Sequence, residues 1–99
     1  MIKFKCDKEP SVVAREVADL LRDWHDEDWN ERHPNRKVTE PGEPWEVYFK
    51  DERWNMGTTN NFKLHKMGDD SFMFNDRYHP IKRTEWLKAK MVELGYVLV

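Results

Sequence analysis

The sequence predicts an α+β fold, a two-layer sandwich in which two helices pack on one face of a mainly antiparallel sheet of four to five strands. Residues 8–24 and 85–94 carry apolar side chains at helical spacing, whereas several shorter segments alternate apolar and polar residues. The predicted order is β-α-β-β-β-α-β. A length of 99 residues fits a single domain, residues 1–99, with room for one core.

The first strand and the first helix are predicted from the N-terminal quarter. Residues 2–6 alternate apolar and polar side chains, as a half-buried strand does. Pro10 suits the first turn of the helix that follows, and a neighbouring Asp, Glu or Ser is expected to cap it. The buried stripe of this helix is formed by Val13, Val17, Leu20 and Trp24.

The middle of the chain is predicted to form an extended connection followed by strands. Three prolines and Gly42 exclude a regular element over residues 33–44, which we interpret as an extended Pro-rich connection. Residues 45–50 alternate as a strand, and residues 53–61 fit either a short strand and turn or a long loop. Residues 61–76 predict a hairpin around the sequence GDDS, with inward-facing Phe62, Leu64, Phe72 and Phe74.

The C-terminal part predicts a second helix and a last strand. Thr84 is expected to cap the helix, whose stripe is Leu87, Met91 and Leu94, and Gly95 stands just beyond its end. The closing residues 96–99 are apolar on both faces, which favours a covered central strand or a strand at an interface. The first and last strands are expected to pair.

Charge is distributed unevenly, although the formal net charge is only −2. Residues 7–31 hold nine acids and three bases, whereas residues 77–90 hold five bases and one acid. The small net charge argues against both a polyanion mimic and a protein that coats DNA. Cys6 is the only cysteine, which excludes an intramolecular disulfide and a cysteine-based zinc site. With no signal peptide and no long apolar run, we expect a cytoplasmic protein without a membrane contact.

The segment RDWHDEDWNERHP, residues 22–34, concentrates histidine and carboxylate groups. His25 and Asp28 are three residues apart and could share a helix face, but His33 is eight residues from His25 and borders a proline. The convergent spacing that a metal site needs is missing. The segment therefore predicts the solvated end of an acidic helix, and neither a metal nor another cofactor is expected.

Trp29 lies about 140° around the helix from Trp24, so both cannot face one core if the helix continues. Either the helix ends early and Trp29 folds back as a lid over the core, or Trp29 stands partly exposed. An exposed tryptophan ringed by charge is a typical anchor of protein interfaces.

A basic segment precedes and enters the second helix. Cations at a helix N-terminus, beside Tyr78 and His79, could hold a phosphate backbone. The order helix, three strands, helix resembles the double-stranded-RNA-binding domain, which would imply RNA binding at the start of the last helix. That family's glycine-proline-histidine loop and lysine-rich helix start are missing here. The alternative is a set of solvated cations around the core; the residues are Arg77, Lys82, Arg83, Lys88 and Lys90.

The far side of the sheet is the third candidate. If Phe62 and Leu64 face the core, the opposite face carries His65, Met67, Met73 and Tyr48. Such a face indicates a contact with a partner, a dimer twofold, or cover by residues 34–44 or 51–60.

We favour a soluble, non-enzymatic protein-binding module. A short, Trp-rich, charge-dense domain without catalytic motifs is typical of small phage-encoded proteins that inhibit or redirect host machinery, and the partner could also be a second copy forming a homodimer. The expected contact residues are Trp29, Asp26, Asp28, Glu31, Trp54, His65, Met67 and Met73.

Two alternatives belong to other classes. One is a nucleic-acid-binding module that uses the basic segment 77–90. The other is a small metal-dependent hydrolase or nuclease with a metal held by nearby acids and by His25, His65 or His79. No catalytic residue is assigned from the sequence, because neither a nucleophile motif nor a phosphate-binding glycine loop is present.

Overall fold

The computed structural model describes residues 1–40, 42–57, 63–75 and 80–99. These residues form two helices and six strands, which confirms the α+β prediction. The helices are α1 (Pro10–Arg32) and α2 (Ile81–Glu93). The strands are β1 (Ile2–Lys5), β2 (Val47–Lys50), β3 (Arg53–Met56), β4 (Lys63–Lys66), β5 (Ser71–Asn75) and β6 (Val97–Leu98).

All six strands belong to one antiparallel sheet with the order β2-β3-β4-β5-β1-β6. The predicted pairing of the first and last strands is confirmed, because Phe4 lies opposite Leu98. On its other side β1 pairs with β5, where Phe4 lies opposite Phe72. The N-terminal strand is therefore an inner strand of the sheet.

The sheet has more strands than predicted because the segment after Lys50 turns back tightly as β3. Asp51 and Glu52 form the turn with φ of 56° and 61°, and Lys50 lies opposite Arg53. Two consecutive residues with positive φ are typical of a type I′ hairpin, which usually carries Asn-Gly or Asp-Gly. Because the sequence lacks that signal, residues 53–61 fitted either a short strand and turn or a long loop, and the structure has the strand at Arg53–Met56. With β3, four strands follow α1 and precede α2 in the chain, one more than in the double-stranded-RNA-binding domain.

Both helices cover the same face of the sheet, and the core lies between the two layers. From α1 the buried side chains include Leu21, which the sequence places beside the predicted stripe, whereas Leu20 of that stripe is half-buried against the core. The ring of Phe4 stacks on Phe72 with centroids 5.5 Å apart and meets Tyr96 edge-on at 5.3 Å. The fully buried residues contributed by both layers include Ile2, Phe4, Val13, Val17, Met56, Leu64, Phe74, Leu87 and Met91.

Several predicted ends of elements were wrong. Helix α1 does continue through the acidic segment predicted as its solvated end, eight residues beyond Trp24, but its N-cap Glu9 makes no side-chain capping bond. Helix α2 begins three residues before Thr84, which is buried inside the helix and is not its cap. Gly95 has a φ of +95° directly after the helix, as predicted. The last strand is a short edge strand and not a covered one, since Val97 is 62% exposed.

A polar cluster joins the C-terminal segment to the start of α1. The buried hydroxyl of Tyr96 donates a short hydrogen bond to Glu16, and Lys8 lies 2.9 Å from the same carboxylate. The Lys8 ammonium also lies 4.6 Å from the centre of the Tyr96 ring. Burial, together with the bond to Glu16, raises the pKa of Tyr96 far above its usual range. The cluster fixes residues after α2 against residues before and within α1.

Tyr96→Phe is therefore expected to lower the free energy of unfolding by about 1.5 kcal/mol, because the bond it removes is to a charged acceptor. Urea unfolding followed by circular dichroism would measure it. Tyr48→Phe is the matched control, since Tyr48 is 39% exposed; there the change should stay within about 0.5 kcal/mol. Equal effects of the two substitutions would contradict the role of the cluster.

Candidate functional site

The face of the sheet that points away from the helices is the candidate site, and we call it the open face. Because side chains alternate along each strand, the residues between the buried ones point to this side. No described segment lies over it. Its members are Lys3, Lys5, Tyr48, Lys50, Arg53, Asn55, Lys63, His65, Ser71, Met73, Asn75 and Val97.

The strand residues of the open face are all basic or neutral, and Glu46, just before β2, is an acid that alternation places on the same side. None of the six described strands contains an Asp or Glu. In the part of the chain that the structure describes, none of the Lys and Arg side chains of this face forms an ion pair. These cations are Lys3, Lys5, Lys50, Arg53 and Lys63.

The pairing register brings these residues into rows that cross the strands. Lys50 lies opposite Arg53, and the β3–β4 register then places Arg53 opposite His65. On the next strands His65 lies opposite Met73, and Met73 lies opposite Lys3. The row crosses five adjacent strands and is about 19 Å long, from four spacings of about 4.8 Å.

A second row lies beside the first and begins at the free edge of the sheet. Tyr48 lies opposite Asn55, which in turn lies opposite Lys63, and Lys63 lies opposite Asn75. The Asn55 amide donates to the carbonyls of Lys50 and Arg53, each at 3.3 Å, so it stabilises the β2–β3 hairpin. Tyr48 is thus the aromatic side chain that this row offers to solvent.

The cations of the open face affect the pKa of His65. Burial lowers the pKa of His65, and the charges of Arg53 and Lys63 lower it further. The Nε of Arg53 is buried and finds no hydrogen-bond acceptor among the described residues. A face of this kind attracts anions, which would relieve the repulsion between its cations.

The basic residues predicted at α2 are neutralised within the helix layer. Lys82 lies 3.2 Å from Glu31, Lys88 lies 3.8 Å from Glu85, and Lys90 lies 3.6 Å from Glu93. The guanidinium of Arg83 stacks over Trp24 at 4.4 Å from the ring centre. Arg77, Tyr78 and His79 lie outside the described residues. Unpaired positive charge is therefore found on the open face and not along α2.

The acidic residues predicted as partner contacts also have structural partners. Asp28 lies 2.7 Å from Arg32, Glu31 lies near Lys82, and Asp26 accepts a hydrogen bond from the Gly42 amide at 3.0 Å. Asp28 and Glu31 lie on the side of α1 that faces α2, and Asp26 lies beside the connection. These contacts hold the helix end and the connection in place.

Trp29 attaches the connection to α1, and the prediction that the helix ends early to make it a lid was wrong. Its ring stacks on His33 with centroids 3.9 Å apart, and its Nε1 donates to the Arg36 carbonyl at 3.1 Å. Further along, Asn30 exchanges hydrogen bonds with Val38. The described part of residues 33–44 thus runs along α1 and does not cover the open face, contrary to one of the predicted alternatives.

The other predicted contact residues divide between two surfaces. His65, Met73 and Tyr48 lie on the open face, as expected from the alternation. Met67 follows the end of β4 and is 62% exposed. Trp54 instead lies on the helix side of β3, where its ring centre is 5.3 Å from that of Phe49.

Phe49 and Trp54 border a groove of about 480 Å³ at the free edge of the sheet. Phe49 is 60% exposed, although it points to the same side as the core. Pro10 and Ser11, from the start of α1, form the opposite wall of this groove. An exposed phenylalanine beside a half-buried tryptophan is a second surface able to take an apolar group.

The three described histidines do not converge. His25 is exposed on α1 beside Asp26, His33 packs on Trp29, and His65 lies on the opposite side of the molecule. Within residues 1–40, 42–57, 63–75 and 80–99, no three His, Cys, Asp or Glu side chains are grouped as metal ligands. Neither described helix combines the length and the apolar character needed to cross a bilayer.

The strand lysines and arginine were not selected from the sequence, although a signal was present. Each lies at an alternating position between core residues, and the segments that became strands contain cations but no acids. The residues are scattered between positions 3 and 63, so no linear cluster reveals them.

His65 makes stability depend on pH in a defined direction. Its folded-state pKa lies below the 6.5 of the unfolded chain, so between the two values the unfolded chain binds more protons and stability rises with pH. His65→Gln removes this component, and unfolding free energies compared near pH 5 and near pH 7.5 should differ less than in the wild type. His25→Gln on α1 is the control; the same flattening there would contradict an origin in the sheet.

Comparisons of the chain with models of known families, with curated proteins and with solved structures gave no match in any of the three. The function is therefore inferred from the geometry and charge of the open face.

Proposed function

We propose that the protein is a non-enzymatic binding module whose open face binds nucleic acid. The observation that carries the proposal is the set of five strand cations without a described acidic partner, in strands that contain no Asp or Glu. Lysine and arginine supply most of the affinity for a phosphate backbone, because binding releases the counterions condensed on it. No catalytic centre is needed for this role.

The distribution of acidic residues also supports the open face as the binding site. The acidic residues of the described chain lie in the helices, turns and connections, and the ion pairs of the described chain all involve the helix layer or Lys8, which precedes it. A polyanion approaching the molecule is therefore repelled from the acidic side of α1 and attracted to the sheet. The bipolar charge orients the encounter.

A second candidate is a protein partner, as expected for a small inhibitor or modulator. Exposed Phe49 in the groove beside Trp54 supports it, together with the position of β2 at the edge of the sheet. An edge strand can pair with an extended segment of another chain, while a groove takes one of its side chains. Such binding would depend little on salt, which distinguishes it from binding at the open face.

The proposal predicts that the affinity for nucleic acid falls steeply as the salt concentration rises. Five phosphate contacts correspond to a slope of about −3.5 to −4.5 for the logarithm of affinity against that of salt concentration. The double substitution Lys3→Gln and Lys63→Gln is expected to lower the magnitude of this slope by about 1.4 to 1.8. Fluorescence anisotropy of a labelled oligonucleotide, titrated at several salt concentrations, measures both quantities.

The matched control is Lys88→Gln with Lys90→Gln, which removes the same charge from α2, where both lysines lie close to glutamates. It should leave the slope nearly unchanged. If this control weakened binding as much as the sheet variant, the site would lie on α2. Amide chemical shifts that move on α2 but not on β1 and β4 would lead to the same conclusion.

A further inference from the structure

We infer that the ligand of the open face is a single nucleic-acid strand that crosses the β-strands, with bases stacked on Tyr48 and His65. The inference rests on the proposed function and adds the form of the ligand, its direction and the side chains that contact its bases.

The shape of the face favours a single strand over a duplex. Proteins read the major groove of a duplex by inserting a helix or a two-stranded ribbon. Here both helices lie on the opposite side of the sheet, and none of the described segments projects from the open face. A single strand can instead lie along the row from Lys50 to Lys3, which is about 19 Å long.

Two rings on the face are placed to receive bases. Tyr48 is 39% exposed on β2, and His65 is half-buried on β4, two strands away and one step along. Their positions are about 12 Å apart by sheet geometry, so each would take a separate base. Because burial and its cationic neighbours lower the pKa of His65, its ring is neutral at pH 7. Stacking of bases on such rings tolerates any sequence.

Two neutral polar side chains of the face that could read base edges are already engaged. The Asn55 amide is bonded to two carbonyls of its own hairpin, and the Ser71 hydroxyl donates to Asp70 at 3.3 Å. Sequence is read by hydrogen bonds to base edges, whereas phosphate contacts only position the ligand. We therefore expect the face to bind strands of different sequence with similar affinity.

An acidic rim sets the direction of the strand. The β2–β3 and β4–β5 turns lie at the same end of an antiparallel sheet, and β1 ends there too. A strand running parallel to the β-strands would run into this rim, whereas one that crosses them follows the cations and comes near the rim only where Asp51 and Glu52 connect Lys50 to Arg53. The acids of the rim are Asp7, Asp51, Glu52, Asp69 and Asp70.

The test measures anisotropy with a labelled twelve-nucleotide oligothymidine, a twelve-base-pair duplex, and polyglutamate as a competitor. We expect the single strand to bind at least about tenfold more tightly than the duplex at equal salt. A duplex that binds equally well or better overturns the inference and leaves the proposed function standing. If neither oligonucleotide binds, or if polyglutamate competes as well as unlabelled oligothymidine, the proposed function itself fails.

Substitutions at Tyr48 test the stacking. Tyr48→Ala should weaken the single strand about 5- to 100-fold and leave the salt slope unchanged, while Tyr48→Phe should bind like the wild type. Tyr48→Leu keeps the apolar bulk on the edge strand without an aromatic face, so a loss there as well excludes a folding defect as the cause. Binding by Tyr48→Leu and Tyr48→Ala at wild-type affinity would overturn the role of Tyr48.

Discussion

Two helices cover one face of a six-stranded sheet, and this constraint decides where the charges of the protein lie. The covered face must be apolar, because it forms the only interface between the two layers. The uncovered face must remain polar, since nothing described packs on it. In this chain the polar positions of the strands hold lysine, arginine and neutral residues, while the acids are placed in the helices, turns and connections.

This division could be read only in part from the sequence. Counting charge along the chain places the positive pole at residues 77–90, yet those of its cations that are described lie beside acids or stack on Trp24. The unpaired cations are dispersed in the sequence, and hydrogen-bonded register alone assembles them. A linear count cannot detect a row that crosses five strands, because its members come from four separate parts of the chain.

The fold itself was easier to predict, since alternation and helical periodicity identify a buried face directly. The failures lie where backbone geometry or pair contacts take the place of hydrophobic pattern. Asp51 and Glu52 adopt a turn without its usual glycine. Helix α1 continues beyond its apolar stripe with the help of the Asp28–Arg32 ion pair and of Trp29 packed on His33. The turn leaves no signal of its type in the sequence, and the two pairs of α1 appear there only as i,i+4 spacings without an apolar period.

The inner position of β1 determines when the sheet can form during synthesis of the chain. Its two neighbours, β5 and β6, are built from residues 71–75 and 97–98, so β1 is synthesised well before both of its partners. Contacts this far apart in the chain carry a large loop-closure entropy and slow the folding rate. We expect these residues to hold only local structure, such as α1 and the short hairpins, until residues 97–98 have been synthesised. The sheet, and with it the row of cations, then forms in one late cooperative step.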